Sequence, residues 1–166
     1  MSNNVHTGSC GCDYVKYQVK GDPLIVHCCH CSFCQTQTGS AFVVNALFEQ
    51  DKVELLQGEV KEIVTPSPSG KGQTVARCPI CNVALWSNYY MRGLREKIRF
   101  IRVGTLDDPA KCPPDVHIYT DTKQPWVQIP EGHQVETEFY DIPSTWSPDN
   151  FKKLRKMFDE LDTKDP

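Results

Sequence analysis

An all-β fold is the class this sequence predicts, and three observations carry the prediction. Apolar segments of strand length recur along the chain, bounded by glycine- and proline-bearing turn signals. One of them, residues 14–19, alternates so that Val15, Tyr17 and Val19 share a face. Helical periodicity is confined to one segment near the C-terminus.

In chain order, the strand candidates after 14–19 are residues 41–48, 53–56, 59–64, 98–103 and 135–139. Between them lie Gly21-Asp22-Pro23, Gln57-Gly58, Pro66-Ser67-Pro68-Ser69-Gly70 and Asp107-Asp108-Pro109. Many short strands between such signals suggest a sandwich or barrel-like architecture. The stretch 66–72 is too short for a domain linker and reads as a mobile hairpin loop. The helix starts where Ser147 can cap it and Pro148 suits the first helical position. Phe151, Leu154, Phe158 and Leu161 then repeat at helical spacing, and Lys152, Lys153, Arg155 and Lys156 read as a solvated face.

At 166 residues the chain is long enough for one domain with a sizeable core, and it needs no disulfides to fold. A net charge of -3 offers no general attraction for nucleic acid or an anionic membrane. No apolar run approaches the roughly 20 residues that span a bilayer. Residues 1–12 are polar and lack the apolar core of a signal peptide, so we expect a cytoplasmic protein, in a compartment that keeps thiols reduced. Nine cysteines, an odd number, are then unlike a disulfide framework and point to metal.

Cys10-Gly11-Cys12 places two thiolates on one side of an extended chain, and Gly11 lets the backbone bend between them. Cys78-Pro79-Ile80-Cys81 is a C-x2-C knuckle, the usual half of a tetrahedral thiolate site. Together they predict a closed, structural four-cysteine zinc whose binding contributes directly to folding. The second constellation is His27-Cys28-Cys29-His30-Cys31-Ser32-Phe33-Cys34. Cys29, Cys31 and Cys34 can converge from one tight loop, and three protein ligands leave the open position typical of catalytic zinc. A second closed site, with His27, His30 or Cys28 as fourth ligand, fits the spacing equally well. Cys28 and Cys29 point in opposite directions on an extended chain, so one of them is a bystander. Cys112 reads as an inert thiol, His6 and His133 as solvent-facing, His117 as a buried hydrogen-bonded histidine and Trp126 as core. No phosphate-binding loop, serine nucleophile elbow or dinucleotide fingerprint is present.

In order and spacing these elements resemble the glutathione-dependent formaldehyde-activating enzyme family, which also includes centromere protein V. The resemblance is carried by Gly8-Ser9-Cys10-Gly11-Cys12, by Cys29-His30-Cys31-Ser32-Phe33-Cys34-Gln35 with Gly39-Ser40-Ala41-Phe42, and by Cys78-Pro79-Ile80-Cys81 with Leu85-Trp86. It continues through Val103-Gly104-Thr105-Leu106-Asp107-Asp108-Pro109, His117-Ile118 and Lys123-Gln124-Pro125-Trp126. It implies a β-tent (Mss4-like) fold with two zinc ions per chain. Cys10, Cys12, Cys78 and Cys81 match the family's structural site, and Cys29, Cys31 and Cys34 its catalytic one. The implied reaction is addition of the glutathione thiol to formaldehyde, giving S-(hydroxymethyl)glutathione, formally a carbon–sulfur lyase running backwards.

His117, Lys123 and Trp126, within the matching stretches, are candidates for binding the small-molecule substrate. Lys123, Arg92 and Arg95 are cations available for the carboxylates of glutathione. One departure from the family is Cys81-Asn82 where a Cys-Gly is common. Asparagine tolerates the left-handed conformation, so the knuckle is expected to survive. We read residues 1–7 as a tail, 8–142 as the zinc-binding domain and 143–166 as a helical extension. Two other functions fit the same residues: a zinc-dependent hydrolase of a small molecule such as an imine, and a zinc-stabilised interaction module with its second site closed.

Overall fold

Val15, Tyr17 and Val19 are fully buried, as their alternation requires, and the strand that carries the latter two is β2 (Lys16–Lys20). It pairs with β1 (Val5–Ser9) on one side and β5 (Val53–Gln57) on the other, forming a three-stranded antiparallel sheet. The structure, a computed structural model, describes residues 4–90 and 94–162, without the side chains of Arg95 and Asp162. Arg92 and the side chain of Arg95, named above as cations for a substrate, lie outside the described residues.

The second sheet has eight strands. In chain order they are β3 (Ile25–Cys29), β4 (Val43–Glu49), β6 (Lys61–Thr65), β7 (Gln73–Arg77), β8 (Ala84–Tyr89), β9 (Ile98–Arg102), β10 (Val116–Ile118) and β11 (Gln134–Val135). Their spatial order is β11-β10-β3-β4-β9-β8-β7-β6, parallel only at β3–β10–β11. The expectation of a mostly β protein holds, with eleven strands among the described residues.

Both faces of the large sheet are covered. Val26, Ala46, Phe48 and Ile101 pack toward the small sheet with Tyr17, Val19 and Trp86. Ile25, Leu47, Ile98 and Phe100 pack on the opposite face with Leu154 and Trp146. Leu154 belongs to α3 (Pro148–Asp162), which follows the four-residue α2 (Ile142–Thr145) and docks there with Phe151, Phe158 and Leu161, as the helical spacing predicts. Ser147 starts the helix, its Oγ accepting the Asn150 N–H at 3.3 Å. Gly8 lets the sheets close: a Cβ there would stand 2.6 Å from the Thr105 carbonyl oxygen and 2.7 Å from the Tyr17 ring, and the Tyr17 hydroxyl hydrogen-bonds the Thr105 hydroxyl at 2.7 Å.

Several local expectations are corrected. The strand expected over 135–139 is reduced to Gln134–Val135. Cys10-Gly11-Cys12 lies in the turn after β1, not on a strand. Residues after Cys31 form a helix, α1 (Ser32–Thr38), rather than a loop. Its seven residues are too few to show an apolar repeat, and Cys31 caps it. His6 is buried rather than solvent-facing, because β1 alternates and His6 lies on its inner face. Trp126 is 72% exposed rather than core. β1 begins at Val5, inside the stretch read as a tail. β3 escaped notice because all five of its residues are buried, so nothing alternates.

Candidate metal centres

Two cysteine clusters form on opposite sides of the large sheet. The first joins two tight turns. Cys10 and Cys12 come from the β1–β2 turn, Cys78 and Cys81 from the β7–β8 turn, and their sulfurs all lie within 4.8 Å of one another. Cys10 Sγ is 3.6 Å from Cys12 Sγ, which is 3.8 Å from Cys78 Sγ. A tetrahedral ion with metal–sulfur bonds of about 2.3 Å sets its sulfurs ~3.8 Å apart, so the four residues fit one ion. Left-handed Asn82, φ 60°, follows the second knuckle, as expected of the residue standing in for glycine. Backbone N–H groups point at the sulfurs: Val15 donates to Cys10, and Ile80 and Cys81 to Cys78. Burial pushes the Cys10 thiol up, but the Val15 and Cys12 N–H groups outweigh it and hold it at about 6.

The second cluster is local. Cys29 ends β3, Cys31 is the N-cap of α1, and Cys34 lies in its first turn. Cys34 and Cys29 sulfurs are 3.5 Å apart, and Cys31 Sγ accepts the Cys34 N–H at 3.3 Å. Hydrogen bonds from Cys29 and Cys34 hold the Cys31 thiol far down, at about 3. The same bonds, with burial, push Cys29 up. Cys34 gains from its bond with Cys29, but Cys31 and burial outweigh that and lift it to about 12. Three sulfurs this close do not all ionise unaided. A bound cation is what strips the remaining protons.

Among the described residues no other histidine, cysteine, aspartate or glutamate joins this group. His27 is turned to the Tyr140 hydroxyl, 2.6 Å away, which also accepts the Trp146 indole N–H at 2.8 Å. Cys28 and His30, two residues apart on the extended chain, face the other way and meet His117. His30 Nε2 is 2.9 Å from His117 Nδ1 and 3.5 Å from Cys28 Sγ. His117 is thus the buried, hydrogen-bonded histidine that its apolar neighbours suggest.

A polar network braces the three-cysteine segment. The Gln35 amide donates to the carbonyls of His30, at 2.7 Å, and Thr122, at 2.9 Å, and its Oε1 accepts from Gln124. Lys123 Nζ donates to the Val127 carbonyl at 2.6 Å, holding the loop on which Trp126 stands out to solvent. Sequence reasoning missed three neighbours. Burial pushes the Tyr89 and Tyr119 hydroxyls up, and the three thiolates add to the effect in both, so both phenols stay protonated beside the cluster. Arg102, 8% exposed, is the third. The first two stand among ordinary strand and core residues and carry no motif of their own.

Fold and site together define a mostly β protein with two cysteine clusters, each of which could hold a metal ion. The family described as "Glutathione-dependent formaldehyde-activating enzyme" matches residues 5–122, and the chain belongs to it. The match contains all seven clustered cysteines and excludes α3. No curated protein matches the chain. Among similar solved structures is that of a Rhodobacter sphaeroides protein, 16% identical, covering 61% of this chain and 87% of that one with a TM-score of 0.46. No helix among the described residues is long and apolar enough to cross a membrane.

Proposed function

We propose that this protein is a zinc-dependent enzyme of carbon–sulfur chemistry, acting in the cytoplasm on a small thiol and an aldehyde, with glutathione and formaldehyde as the pair its family points to. The observation that carries the reading is the group of three cysteines, Cys29, Cys31 and Cys34, from which His27, Cys28 and His30 are all turned away. Three thiolate ligands without a fourth side chain describe a catalytic zinc rather than a structural one. Cys10, Cys12, Cys78 and Cys81 hold the structural zinc, and the zinc-binding domain runs to residue 142 from β1, which starts at Val5.

Bound zinc at the open site would supply an acidic position where a thiol loses its proton or a carbonyl is polarised. The chain's own residues do the rest. Cys29, Cys31 and Cys34 hold that position at the end of β3. Gln35 and Gln124 tie α1 to the loop at 122–127, so the wall beside the cluster keeps its shape. Tyr89 and Tyr119 present protonated hydroxyls near the thiolates, suited to donating a hydrogen bond to the oxygen that becomes an alkoxide. Exposed Trp126 offers an apolar face to the substrate, and Lys123 serves by holding its loop. In the reaction a sulfur–carbon bond forms, the carbonyl π bond breaks, and the thiol proton ends on the new hydroxyl.

The interaction-module reading needs His27, His30 or Cys28 as fourth ligand, and their partners lie elsewhere, which favours the enzyme. Titrating glutathione into cobalt-substituted protein tests the proposal. The thiolate-to-cobalt absorption should grow and saturate, and formaldehyde consumption should depend on glutathione. An unchanged spectrum at saturating glutathione counts against it, and turnover of an imine without any thiol would favour the hydrolase.

A further inference from the structure

We infer that Arg102 is the counter-charge of the Cys29/Cys31/Cys34 centre, and that it biases the open position toward an anionic ligand. The second half deepens the function proposed above, in which that ligand is a thiolate.

Arg102 is the last residue of β9 and lies opposite Asn45 of β4, which in turn lies opposite His27 of β3. Like Ile98 and Phe100 on its strand, it belongs to the face of the sheet that Cys29 and Cys34 share with α3. One guanidinium nitrogen, Nη1, donates to Asn45 Oδ1. The other, Nη2, donates to Gln37 Oε1 at 3.0 Å. Gln37 follows Cys34 by three residues on α1, so the two share a face of that helix. The guanidinium is thereby tied to the helix that carries Cys34.

Among the described residues no carboxylate pairs with it. None of the ion pairs among the described residues includes Arg102, its two acceptors are neutral amides, and Nε has no hydrogen-bond partner. An arginine stays protonated in a protein, and a buried charge without compensation is strongly destabilising. Burial disfavours its charge most, Arg77 adds like-charge repulsion, and Cys34 and Cys29, once ionised by a bound metal, favour it. The need is mutual. A divalent ion with three thiolates sums to one negative charge, and a fourth thiolate makes it two, on a cluster with two of its three sulfurs buried. One buried cation offsets part of that excess, and it favours an anion at the open position over a neutral ligand. Arg102 acts through the cysteines and their ligand, as a positioning residue.

The test compares the zinc-loaded wild type with Arg102→Lys and Arg102→Met, by competition with a chelator. The four-cysteine site is the internal control. Arg102→Met should lose zinc from the three-cysteine site about 10- to 100-fold more readily, the range seen when a partner outside the ligand set is removed. The four-cysteine zinc should be unmoved, and Arg102→Lys should recover most of the loss. In cobalt-loaded protein, Arg102→Met should weaken glutathione binding more than it weakens imidazole binding.

The proposal is overturned if Arg102→Met holds both zincs like wild type, if both sites loosen alike, or if lysine does no better than methionine. Should neither Arg102→Met nor Arg102→Gln fold, the wild type alone decides: its cobalt form should bind azide or thiocyanate more tightly than imidazole, and the reverse order sinks the idea. A chelator result as expected, with no glutathione bound by the wild type, would leave the counter-charge standing and remove the function proposed above.

Discussion

The two cysteine clusters offer the same ligand atom from opposite kinds of chain segment. The four-cysteine group is assembled from turns 66 residues apart in sequence, and it pins the edge of the small sheet to the β7–β8 corner of the large one. Cys10 and Cys78 are buried in the core between the sheets. The three-cysteine group spans six residues, from Cys29 to Cys34, and its backbone is already held by β3, by α1 and by the Gln35 hydrogen bonds. A metal that closes a long loop contributes to folding, because the unfolded chain must otherwise bring distant residues together. A metal gathered by one short, braced segment contributes little to the fold and is available for chemistry. Under the function proposed above, closure in sequence, more than ligand chemistry, is what separates the structural centre from the reactive one.

Breaking the long closure should give the largest effect. Cys78→Ser is expected to lose cooperative folding, read as a missing thermal transition and collapsed near-ultraviolet dichroism. Cys31→Ser should keep the fold, with a melting temperature within a few degrees of wild type, hold one zinc instead of two by metal analysis, and lose glutathione-dependent turnover at least 100-fold, at the low end of what a central catalytic group supplies. If the two variants unfold alike, the contrast between the clusters is wrong.

Leu154→Ala sharpens the comparison from outside both clusters. It empties a fully buried site under α3, on the side of the three-cysteine group, and should cost about 2–5 kcal/mol in denaturant unfolding while both zincs stay bound. A smaller effect is expected from Trp126→Ala. With 72% of the residue exposed, stability should change by less than about 0.5 kcal/mol, and the Michaelis constant for the thiol should rise while metal content is unchanged.

The mildest effect separates acid sensitivity of the fold from that of the metal centres. Burial pulls His27 down to about 3 in the folded protein, against about 6.5 when unfolded. Above pH 6.5 both states are neutral and its contribution is complete. Below that, the unfolded state takes up the proton first, and stability falls until about pH 3, by at most ~1.4 kcal/mol per pH unit. His27→Gln should be less stable than wild type at pH 7 yet lose less between pH 6.5 and 4, measured by urea unfolding. Parallel pH curves for the two would assign the acid sensitivity to the thiolates.

Legibility followed the range of the interaction. The alternation of Val15, Tyr17 and Val19, the capped repeat from Ser147 to Leu161 and the C-x2-C knuckle are local, and each is found where its pattern puts it. Fully buried β3 and seven-residue α1 carry no periodic signal, although they position the three-cysteine group. His6 and Trp126 were misread for one reason: a polar or apolar type in a short segment does not say which way the chain faces once it is docked.

The sequence by itself determined the stock of ligands, the joining of the C-x-C and C-x2-C pairs into a group of four, and the opposite facing of Cys28 and Cys29, because successive side chains on an extended chain must alternate; that the second group is a three came from the family resemblance and the structure. Tertiary structure alone decided where the rest went. Parallel pairing of β10 with β3 carried His117 to Cys28 and His30, and the order β3-β4-β9 carried Arg102 to Gln37 of α1. Those partners come from strands far apart in the chain, and register across a sheet is set by packing of the whole, which no local pattern records.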